Sequence, residues 1–558
     1  MALNMTAEER ETGKQNFQET SADLTRRGFM KSMVAAGAVT PVAAGVYFGY
    51  RTTEGKPVKA ALIGCGDEGG VLLGEHNPEY LQFVAACDIR PYNQKRIVTG
   101  DPKVPLRKGF TKVYGETFAQ DIAKNHMYTD YIEMLDREKD LEAVVIALPL
   151  HLHAPVAIEC MNRGLHVLCE KLMARTITQC KDMVAAAKKN NVILSIGHQR
   201  HYSMLYAHAT DLINSGVIGD IKHIRALWHR NFSWDYVPEK DSPALAISPD
   251  ITQPKYRDGW FSPIYDMDYQ ALVKDEFYKK LGYRSIEELI RWRLYNRTGG
   301  GLMAELGSHQ MDACSIFLGK VQPLSVTGVG GKFFFGPGRN DRSTDDHVFT
   351  TFEFPGKNHP RAGRGGNDKN DVVVVTYSSI NTNGFEAYGE TLMGTRGSMV
   401  VEGEQSIMLY KEREPLKKTE APAKSMAVAV GTAGAGKPVL EAASTWGGPP
   451  AAAGGAAVAG GAAAAPAAIS RGYREEMEDF AYCIRQWKKE IGWRQDAGRY
   501  VQRLPKCHGE IAMADAIIAL TANIAMDRKQ RIEFSPEWFK ADAKDVPDSH
   551  IDPETIVG

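Results

Sequence analysis

The first pattern able to do chemistry is a glycine-rich loop at residues 64–69, which reads Gly-Cys-Gly-Asp-Glu-Gly after an apolar run. Glycine at its three positions permits a tight turn and lets backbone N–H groups approach a pyrophosphate. Asp88 ends the next apolar run, 19 residues after Gly69, where its carboxylate can accept hydrogen bonds from ribose hydroxyls. The spacing predicts a dinucleotide site that prefers NAD, because Asp88 would repel the extra phosphate of NADP. Arg90 keeps NADP as an alternative.

Two pairs of ionisable residues follow this loop along the chain. Glu170 and Lys171 end a later apolar run, and a lysine at the carboxyl end of a parallel strand can reach a nicotinamide or a substrate hydroxyl. Glu305 and His309 are spaced i, i+4, so on one helical face the carboxylate would orient the imidazole and raise its basicity. Such a pair suits a base that deprotonates a hydroxyl. Taken alone, the first pair also fits a surface ion pair and the second a salt-bridged helix.

Further polar and aromatic side chains are expected near the same crevice. Residues 197–202 follow the last apolar run of the first half, so they open onto the carboxyl edge of the predicted sheet. We expect substrate contacts from some of these side chains: Gln199, Arg200, His201, Tyr202 and Arg293. Trp228, Arg230 and Trp292 could stack on or clamp a sugar ring, although buried packing explains the tryptophans equally well.

The spacing of apolar runs shows which elements position these residues. Five such runs, separated by helix-like stretches, are typical of strands buried on both faces of a parallel sheet: V-K-A-A-L-I, F-V-A-A-C, L-E-A-V-V-I-A-L, H-V-L-C-E and V-I-L-S-I. We therefore predict an α/β fold with an N-terminal Rossmann doubly wound parallel sheet at 57–197. Later strand-like runs separated by turns predict a C-terminal α+β domain with a mainly antiparallel sheet at 198–545.

One segment within the second domain has a composition unlike a core. In the tract 447–468, 21 of 22 residues are Ala, Gly or Pro, and the stretch that precedes it is polar and charged. Such a tract has too little large apolar surface to offset the entropy of ordering. We therefore predict a disordered insertion at about 411–470.

The first 56 residues are predicted to be an export signal and leader. Residues 25–31 read Thr-Arg-Arg-Gly-Phe-Met-Lys, and the 19 residues that follow carry no charge. The pattern resembles a twin-arginine signal, with Val42-Ala43-Ala44 as a candidate cleavage site. It implies the twin-arginine translocation machinery as a partner and a periplasmic or otherwise exported location, with a membrane anchor if the signal is not cleaved. The alternative is an amphipathic helix with two incidental arginines.

Composition excludes several other classes. Lys and Arg total 67 against 68 Asp and Glu, a formal charge of −1, which lacks the cationic excess that a nucleic-acid binder needs. The eight cysteines form no C-x-x-C pair, so neither a disulfide scaffold nor a zinc module is indicated. His151 and His153 form an H-x-H pair without a third ligand in spacing, and no metal site is predicted.

The combined motifs resemble the glucose-fructose oxidoreductase and inositol dehydrogenase (Gfo/Idh/MocA) family. The glycine loop, the Glu-Lys dipeptide about 100 residues later and the run from Gly299 to Asp312 carry the resemblance. Three positions depart from the family pattern: Leu172 stands for proline, Glu305 for aspartate, and Leu148-Pro149-Leu150 for T-P-N. The resemblance covers about 57–410 and 472–535.

The resemblance assigns roles to individual residues. Lys171 would lie between nicotinamide and substrate, and His309 would be the general acid/base, oriented by Glu305. Loop, strand ends and family pattern together predict this cofactor set: Gly64, Cys65, Gly66, Glu68, Gly69, Asp88, Ile89, Leu148, Pro149, His153, Glu170 and Lys171. The implied activity is reversible hydride transfer between a sugar or polyol carbinol and the nicotinamide, by a homo-oligomer assembled through the C-terminal sheet.

Export of a nicotinamide enzyme would require it to keep its cofactor bound and to restore it in each cycle. Paired oxidation and reduction of two sugars meets this requirement. So does redox-assisted cleavage of a glycoside, in which a transient ketone permits elimination. Cleavage needs an additional base, for which Tyr202, His201 and His153 are candidates. A cofactor-bearing sugar-binding protein without catalysis is the third alternative, and retention of both Lys171 and His309 argues against it.

Overall fold

The structure is a computed structural model that describes residues 5–22, 45, 47–50, 55–238, 243–336, 338–340, 342–412 and 471–547. The predicted twin-arginine motif, its cleavage site and the Ala/Gly/Pro tract lie outside the described residues. The first helix, α1 (Ala7–Ala22), packs on the edge of the second sheet. There Arg10 Nη1 donates to both carboxylate oxygens of Glu402, at 2.9 and 2.8 Å.

The first domain contains a six-stranded parallel sheet. Its strands are β1 (Val58–Ile63), β2 (Leu81–Cys87), β3 (Met127–Tyr128), β4 (Ala143–Ile146), β5 (His166–Glu170) and β6 (Leu194–Gly197). They lie in the order β3-β2-β1-β4-β5-β6, and all their pairings are parallel. Strands β1, β4, β5 and β6 are almost entirely buried, because helices cover both faces and the apolar runs therefore show no alternation. The predicted doubly wound sheet is confirmed.

Helices connect these strands and cover the sheet. Their bounds are α2 (Asp67–Glu75), α3 (Pro91–Thr99), α4 (Gly109–Tyr114), α5 (Glu116–Asn125), α6 (Tyr131–Arg137), α7 (His153–Asn162) and α8 (Ile177–Lys189). Helix α8 begins with a capping box, in which the Thr176 hydroxyl accepts from Gln179 N and the Gln179 side chain accepts from Thr176 N. Helix α2 begins at Asp67, within the glycine loop, so its N-terminus faces the crevice at the carboxyl edge of the sheet.

The second domain is built on an eight-stranded sheet. Its strands are β7 (Ile221–His229), β8 (Ser325–Gly331), β9 (His347–Pro355), β10 (Val372–Ile380), β11 (Tyr388–Gly394), β12 (Gly397–Glu402), β13 (Ser406–Lys411) and β16 (Ile532–Glu533), while β14 (Gln495–Asp496) and β15 (Arg499–Tyr500) form a separate hairpin. The order is β13-β12-β11-β7-β10-β9-β8-β16, with β7 and β10 parallel and the other pairs antiparallel. The predicted mainly antiparallel sheet is confirmed. Burial alternates strictly along β10, so one face is packed and the other is open.

The helices after β6 complete this domain and join the two sheets. They are α9 (Met204–Asn214), α10 (Asp266–Val273), α11 (Phe277–Lys280), α12 (Ile286–Ile290), α13 (Ser308–Leu318), α14 (Tyr473–Gln486) and α15 (Gly509–Arg528). Helix α14 follows the second sheet in sequence but packs on α2 and on the first sheet. Helix α15 is apolar and long enough to cross a bilayer, but most of it is buried against α8, α13 and β8, as in a core helix.

Candidate active site

The turn of the glycine loop leaves no room for side chains at two of its three glycines. Gly64 has a φ of +97°, and a Cβ there would lie 2.2 Å from the Ala147 carbonyl oxygen. A Cβ at Gly69 would lie 2.0 Å from the Gly64 oxygen. The loop therefore passes close to the end of β4 before α2 begins, with a bare backbone that suits a pyrophosphate. Cofactor contacts by these glycines stay a prediction.

Asp88 anchors the backbone of the glycine loop through hydrogen bonds. Its Oδ2 accepts hydrogen bonds from Cys65 N at 2.8 Å and from Asn93 Nδ2 at 3.0 Å, and its Oδ1 accepts from Arg90 N at 2.8 Å. Burial raises the pKa of Asp88, and these hydrogen bonds with the nearby Arg90 charge act in the opposite direction. Asp88 thus fixes the loop backbone through Cys65, and its predicted ribose contact would be made in addition.

Arg90 is engaged by the second domain. Its Nε and Nη2 lie 2.9 and 2.8 Å from Asp268 Oδ2, and Asp268 Oδ1 accepts from Tyr92 N at 2.9 Å. Asp268 lies on α10, which packs against α3, and its side chain is fully buried. Because the Arg90 charge is already paired, it is poorly placed to receive the extra phosphate of NADP. Ile89 packs against the small apolar cluster of the same 243–290 segment.

Lys171 lies where the first domain meets the second. Its Nζ donates to the Glu305 carbonyl oxygen at 3.1 Å, and its backbone N donates to Glu170 Oε2 at 3.1 Å. The peptide bond from Lys171 to Leu172 is cis. Gly197 makes room for the Glu170 carboxyl, since a Cβ there would lie 2.8 Å from it. Burial, with the Glu68 carboxylate nearby, raises the pKa of Glu170 well above its ordinary value, and Glu170 Oε1 has no hydrogen-bond partner among the described residues.

His153 is a structural link between two crevice segments. Its Nδ1 lies 2.8 Å from the Leu172 carbonyl oxygen and its Nε2 lies 2.8 Å from the Leu148 carbonyl oxygen. Burial lowers its pKa. Both ring nitrogens are used between the ends of β4 and β5, so they are not available to a cofactor, and a contact by the rest of the His153 ring stays a prediction. The Leu148 side chain lies next to Gly64, and contacts by Leu148 and Pro149 to a cofactor stay predictions.

The structure contradicts the expected Glu305–His309 hydrogen bond. Residues Met303–Gly307 form a π-helical turn, in which i→i+5 bonding rotates an i, i+4 pair off a common face. Glu305 Oε2 accepts instead from Arg293 Nε at 3.0 Å, and within the described parts of the chain no hydrogen bond joins Glu305 to His309. Arg293, predicted to contact substrate, is thus first a partner of Glu305.

His309 is buried beside Lys171. Burial, followed by the Lys171 and Arg200 charges, lowers the pKa of His309 well below its ordinary value. Its Nδ1 has no hydrogen-bond partner in the described structure. The ring packs on Trp228, with ring centroids 5.4 Å apart. A neutral imidazole with an unpaired nitrogen, close to an ammonium group, can accept a proton from a hydroxyl.

Arg200 was predicted to contact substrate and does not reach the crevice. It is 1% exposed, with Nε and Nη2 at 2.9 and 2.6 Å from Glu404 Oε1 and Nη1 at 2.9 Å from Glu390 Oε1. Nη1 also donates to the His309 carbonyl oxygen at 2.7 Å and to the Gln310 side chain. Arg200 therefore holds the backbone of His309 against the second sheet, a positioning role that the sequence did not indicate.

Two further substrate candidates belong to buried networks. His201 Nε2 lies 2.8 Å from Asp312 Oδ1, and although burial disfavours its charge, Asp312 raises its pKa well above the ordinary value. Tyr202 is fully buried, and its hydroxyl accepts from Cys507 N at 3.3 Å. Their predicted substrate contacts stay predictions, and because each side chain already has a hydrogen-bond partner, neither is well placed to serve as the additional base that bond cleavage needs. Gln199 is buried with an unpartnered Oε1, so its contact stays a prediction.

The cluster around His201 has a metal-like composition. Ligand atoms of His201, Cys507 and Asp515 lie within 4.8 Å of one another. Lys320 Nζ donates to both oxygens of Asp515 at 3.0 Å and to Asp312 Oδ1 at 2.7 Å. The Lys320 ammonium therefore already neutralises the Asp312 and Asp515 carboxylates, in the place where a metal ion would do so.

The second sheet supplies the outer wall of the crevice. Trp228 stacks on Tyr388, with centroids 4.5 Å apart, and the Arg230 guanidinium lies 5.2 Å from a ring of Trp228. The Arg293 guanidinium lies 4.1 Å from a ring of Trp292. Each of these tryptophan rings thus packs against an arginine guanidinium. Asn381, next to Arg230 in the sheet, was not predicted, and only the register of β7 with β10 identifies it.

Two family models match the chain. Residues 58–198 match the Gfo/Idh/MocA oxidoreductase family, described as an NAD-binding Rossmann fold. Residues 280–400 match the Gfo/Idh/MocA C-terminal domain. The first match ends at the carboxyl end of the parallel sheet, and the second includes Glu305, His309 and most of the second sheet.

Relatives of known activity are similar over part of their length. Inositol 2-dehydrogenase of Salmonella typhimurium is 29% identical over 189 residues, 33% of this chain and 49% of the relative. The 2,7-anhydro-N-acetylneuraminate hydratase of Mediterraneibacter gnavus is 32% identical over 137 residues, 24% of this chain and 36% of the relative. The chain thus spans less than half the length of these two relatives.

The fold is similar to that of solved structures. An inositol dehydrogenase homologue from Azotobacter vinelandii, complexed with NADH and myo-inositol, aligns with a TM-score of 0.51 at 15% identity, covering 86% of this chain and 98% of that one. At this identity the likeness concerns the fold alone.

Proposed function

We propose that this chain, whose residues 58–198 and 280–400 match the Gfo/Idh/MocA oxidoreductase models, transfers hydride between a sugar or polyol carbinol and NAD. The observation that supports this most is that Lys171, which follows β5 at the carboxyl edge of an NAD-binding Rossmann sheet, lies near enough to His309 for its charge to help lower the pKa of that ring. The loop fits the cofactor, since Cβ atoms at Gly64 and Gly69 would clash where the backbone must lie bare.

The reaction divides between cofactor and protein. Bound NAD supplies the hydride acceptor. The Lys171 ammonium, which donates to the Glu305 oxygen, can also donate to the carbinol oxygen and stabilise negative charge as it develops there. His309 accepts the hydroxyl proton on its neutral ring, and its lowered pKa keeps it unprotonated at neutral pH. Arg200 holds the His309 backbone, so the ring is already in position before substrate binds.

Relatives suggest a second candidate function. One relative, similar over 137 residues of this chain, is a hydratase of 2,7-anhydro-N-acetylneuraminate, so redox-assisted bond cleavage or addition is the alternative. Cleavage needs a second proton-exchanging group, and Glu170, with its raised pKa and unpartnered Oε1, is a candidate beside Lys171. Burial alone is enough to explain why Glu170 is neutral, without any role in cleavage. Hydride transfer without cleavage therefore stays the preferred function.

The proposal extends to export. Thr25-Arg26-Arg27 and the uncharged stretch after it support delivery through the twin-arginine machinery to the periplasm or another exported location. An exported enzyme of this kind would retain its nucleotide. Fractionation of cells producing the full chain, with Arg26 and Arg27 changed together to lysine as the comparison, tests this. Accumulation of both forms in the cytoplasm alone would contradict it.

The first experiment uses the protein as isolated, without added nicotinamide. We expect about one NAD(H) per chain, and absorbance of reduced nicotinamide that rises on addition of a suitable sugar and persists until an acceptor sugar arrives. A cleaving enzyme would instead release aglycone continuously and exchange the hydrogen next to the transient ketone with solvent deuterium. A protein that binds no NAD would contradict the proposal altogether.

A further inference from the structure

Arg230 is a cationic group without a partner on the substrate side of the crevice. It follows β7, and its Nη2 is buried without a hydrogen bond. Across the described residues its guanidinium has no ion pair, and its recorded side-chain contact is the ring of Trp228 at 5.2 Å. A buried arginine ordinarily has an acidic or hydrogen-bonding partner, because an unpaired buried charge is costly. Burial lowers the pKa of Arg230 to about 10.

Nearby acidic groups do not supply the missing partner. Glu305 is bound by Arg293 through Nε at 3.0 Å. Glu390 and Glu404 are bound by Arg200. Glu170 favours its neutral form because burial raises its pKa. Arg230 therefore has no carboxylate partner among the described residues.

A second unsatisfied group lies beside Arg230. The register pairs Ile380 with His229 across β10 and β7, so Asn381 and Arg230 are the next neighbours. Asn381 is fully buried, and neither its Oδ1 nor its Nδ2 has a hydrogen-bond partner among the described atoms. A guanidinium and an amide side by side can donate several hydrogen bonds to one group of oxygen acceptors.

Arg230 and His309 share one aromatic surface. The His309 ring packs on Trp228 at 5.4 Å, and Arg230 lies 5.2 Å from a ring of the same indole. Trp228 itself is only 3% exposed and stacks on Tyr388, so it holds His309 and Arg230 near each other, and a sugar that offers its reacting carbinol to His309 can present another substituent to Arg230. That substituent must supply negative charge if the arginine is to be neutralised in the complex.

We propose that Arg230, with Asn381, binds an anionic group of the substrate, so that the enzyme acts on sugars that carry a carboxylate or a phosphate rather than on neutral polyols. The proposal rests on the proposed oxidoreductase function. A carboxylate fits the planar guanidinium in the bidentate manner, and a phosphate offers the same acceptor chemistry. A neutral sugar would leave the partly buried Arg230 guanidinium, whose Nη2 is fully buried, without an anionic partner.

The test compares matched acidic and neutral sugars on the NAD-loaded protein. Glucuronate and glucose, galacturonate and galactose, and glucose 6-phosphate are supplied separately, while nicotinamide reduction is followed by absorbance and binding by calorimetry. In the unchanged chain we expect the acidic member of at least one pair to have the higher kcat/KM, by about 100-fold. The phosphate sugar distinguishes the two anionic groups.

Variants identify the residue responsible. Arg230→Gln should reduce kcat/KM for the acidic sugar about 30- to 1,000-fold through KM, with little change for its neutral counterpart, whereas Arg230→Lys should recover part of the loss. Arg225→Gln is the matched control, since Arg225 lies on β7 and pairs with Glu386 at 2.7 Å outside the crevice. Retained NAD content shows that each variant is folded.

The outcomes separate the two proposals. If neutral sugars are oxidised as well as acidic ones and Arg230→Gln changes neither, the anionic-substrate inference is wrong while the oxidoreductase function stands. If no sugar reduces the nicotinamide but acidic sugars bind and Arg230→Gln abolishes that binding, the function is wrong and the anion site stands. If acidic sugars neither bind nor react, the inference is overturned.

Discussion

The two ends of the crevice differ in how completely their polar groups are satisfied. At the glycine loop, Asp88 accepts hydrogen bonds from Cys65, Arg90 and Asn93, and Arg90 is paired with Asp268. At the opposite end, the buried polar atoms without partners in the described structure include Glu170 Oε1, Gln199 Oε1, His309 Nδ1, Arg230 Nη2 and both side-chain polar atoms of Asn381.

This difference distinguishes a region that fixes the shape of the crevice from a region that is available to react with a ligand. Buried polar groups are nearly always hydrogen-bonded, because leaving one unsatisfied is costly. At the loop end Asp88 and Arg90 are paired internally, which fixes the turn before a cofactor binds, and Glu68 Oε1 is the loop's own buried oxygen without a partner among the described residues. The other end keeps groups whose partners must come from a ligand, and that is where proton and hydride transfer are proposed.

The strongest way to test this contrast is to remove the groups proposed for chemistry. Lys171→Ala and His309→Ala should each lower turnover about 10²- to 10⁴-fold while NAD content stays unchanged, since the loop contacts are untouched. Turnover is read from nicotinamide reduction with the best sugar. Lys59→Ala and His126→Ala, which change the same residue types away from the crevice, serve as controls. Parent rates in His309→Ala would show that the base is a different group.

A smaller effect is expected at the loop end. Asp88→Ala removes the acceptor of Cys65 N, so the loop loses its anchor and NAD affinity should fall about 10- to 100-fold, with turnover at saturating NAD much less affected. Titration of the apo variant with NAD measures this. Asp140→Asn is the control, because Asp140 is an exposed carboxylate on the far edge of the sheet. Unchanged NAD affinity in Asp88→Ala would show that the loop anchored by Asp88 is not part of the NAD-binding site.

Acid should weaken the scaffold through its buried histidines. Burial lowers the pKa to about 4 in each of His76, His151, His166, His198 and His508. The unfolded chain, with histidine pKa values near 6.5, then binds more protons between about pH 6.5 and 4. The free energy of unfolding should therefore fall as pH drops through that window, by at most about 1.4 kcal/mol per pH unit for each histidine.

Urea unfolding at several pH values measures this effect. Replacement His166→Gln should make the slope shallower by one proton, because the amide oxygen can still accept from Ile193 N, which donates to His166 Nδ1 at 2.9 Å. A free energy of unfolding that does not change between pH 7 and 4 would mean that these histidines stay accessible to protons in the folded chain.

The smallest effect is predicted for the Ala/Gly/Pro tract, which belongs to neither end of the crevice. Excision of 447–468 should leave the melting temperature and NAD content unchanged, because its composition offers little large apolar surface to bury. Differential scanning calorimetry and nucleotide release check this. A drop of several degrees in Tm would assign the tract a structural role.

Local patterns determined much of this protein. The clash-free turn at Gly64 and Gly69 and the position of Asp88 depend on backbone rules that act over a few residues, and unbroken apolar runs predicted the parallel sheet correctly. The sequence also predicts the position of Lys171 at the crevice. Lys171 follows the last residue of β5, and the carboxyl ends of parallel strands line the ligand crevice.

Only the tertiary structure decided which polar groups meet. The π-helical turn at Met303–Gly307 directed Glu305 to Arg293 rather than to His309. Arg200 left the predicted crevice for Glu404, 204 residues further along the chain, and Asn381 came beside Arg230 through a strand pairing. Such pairings depend on how distant segments pack and which charges burial forces together, and no spacing within a single segment encodes them.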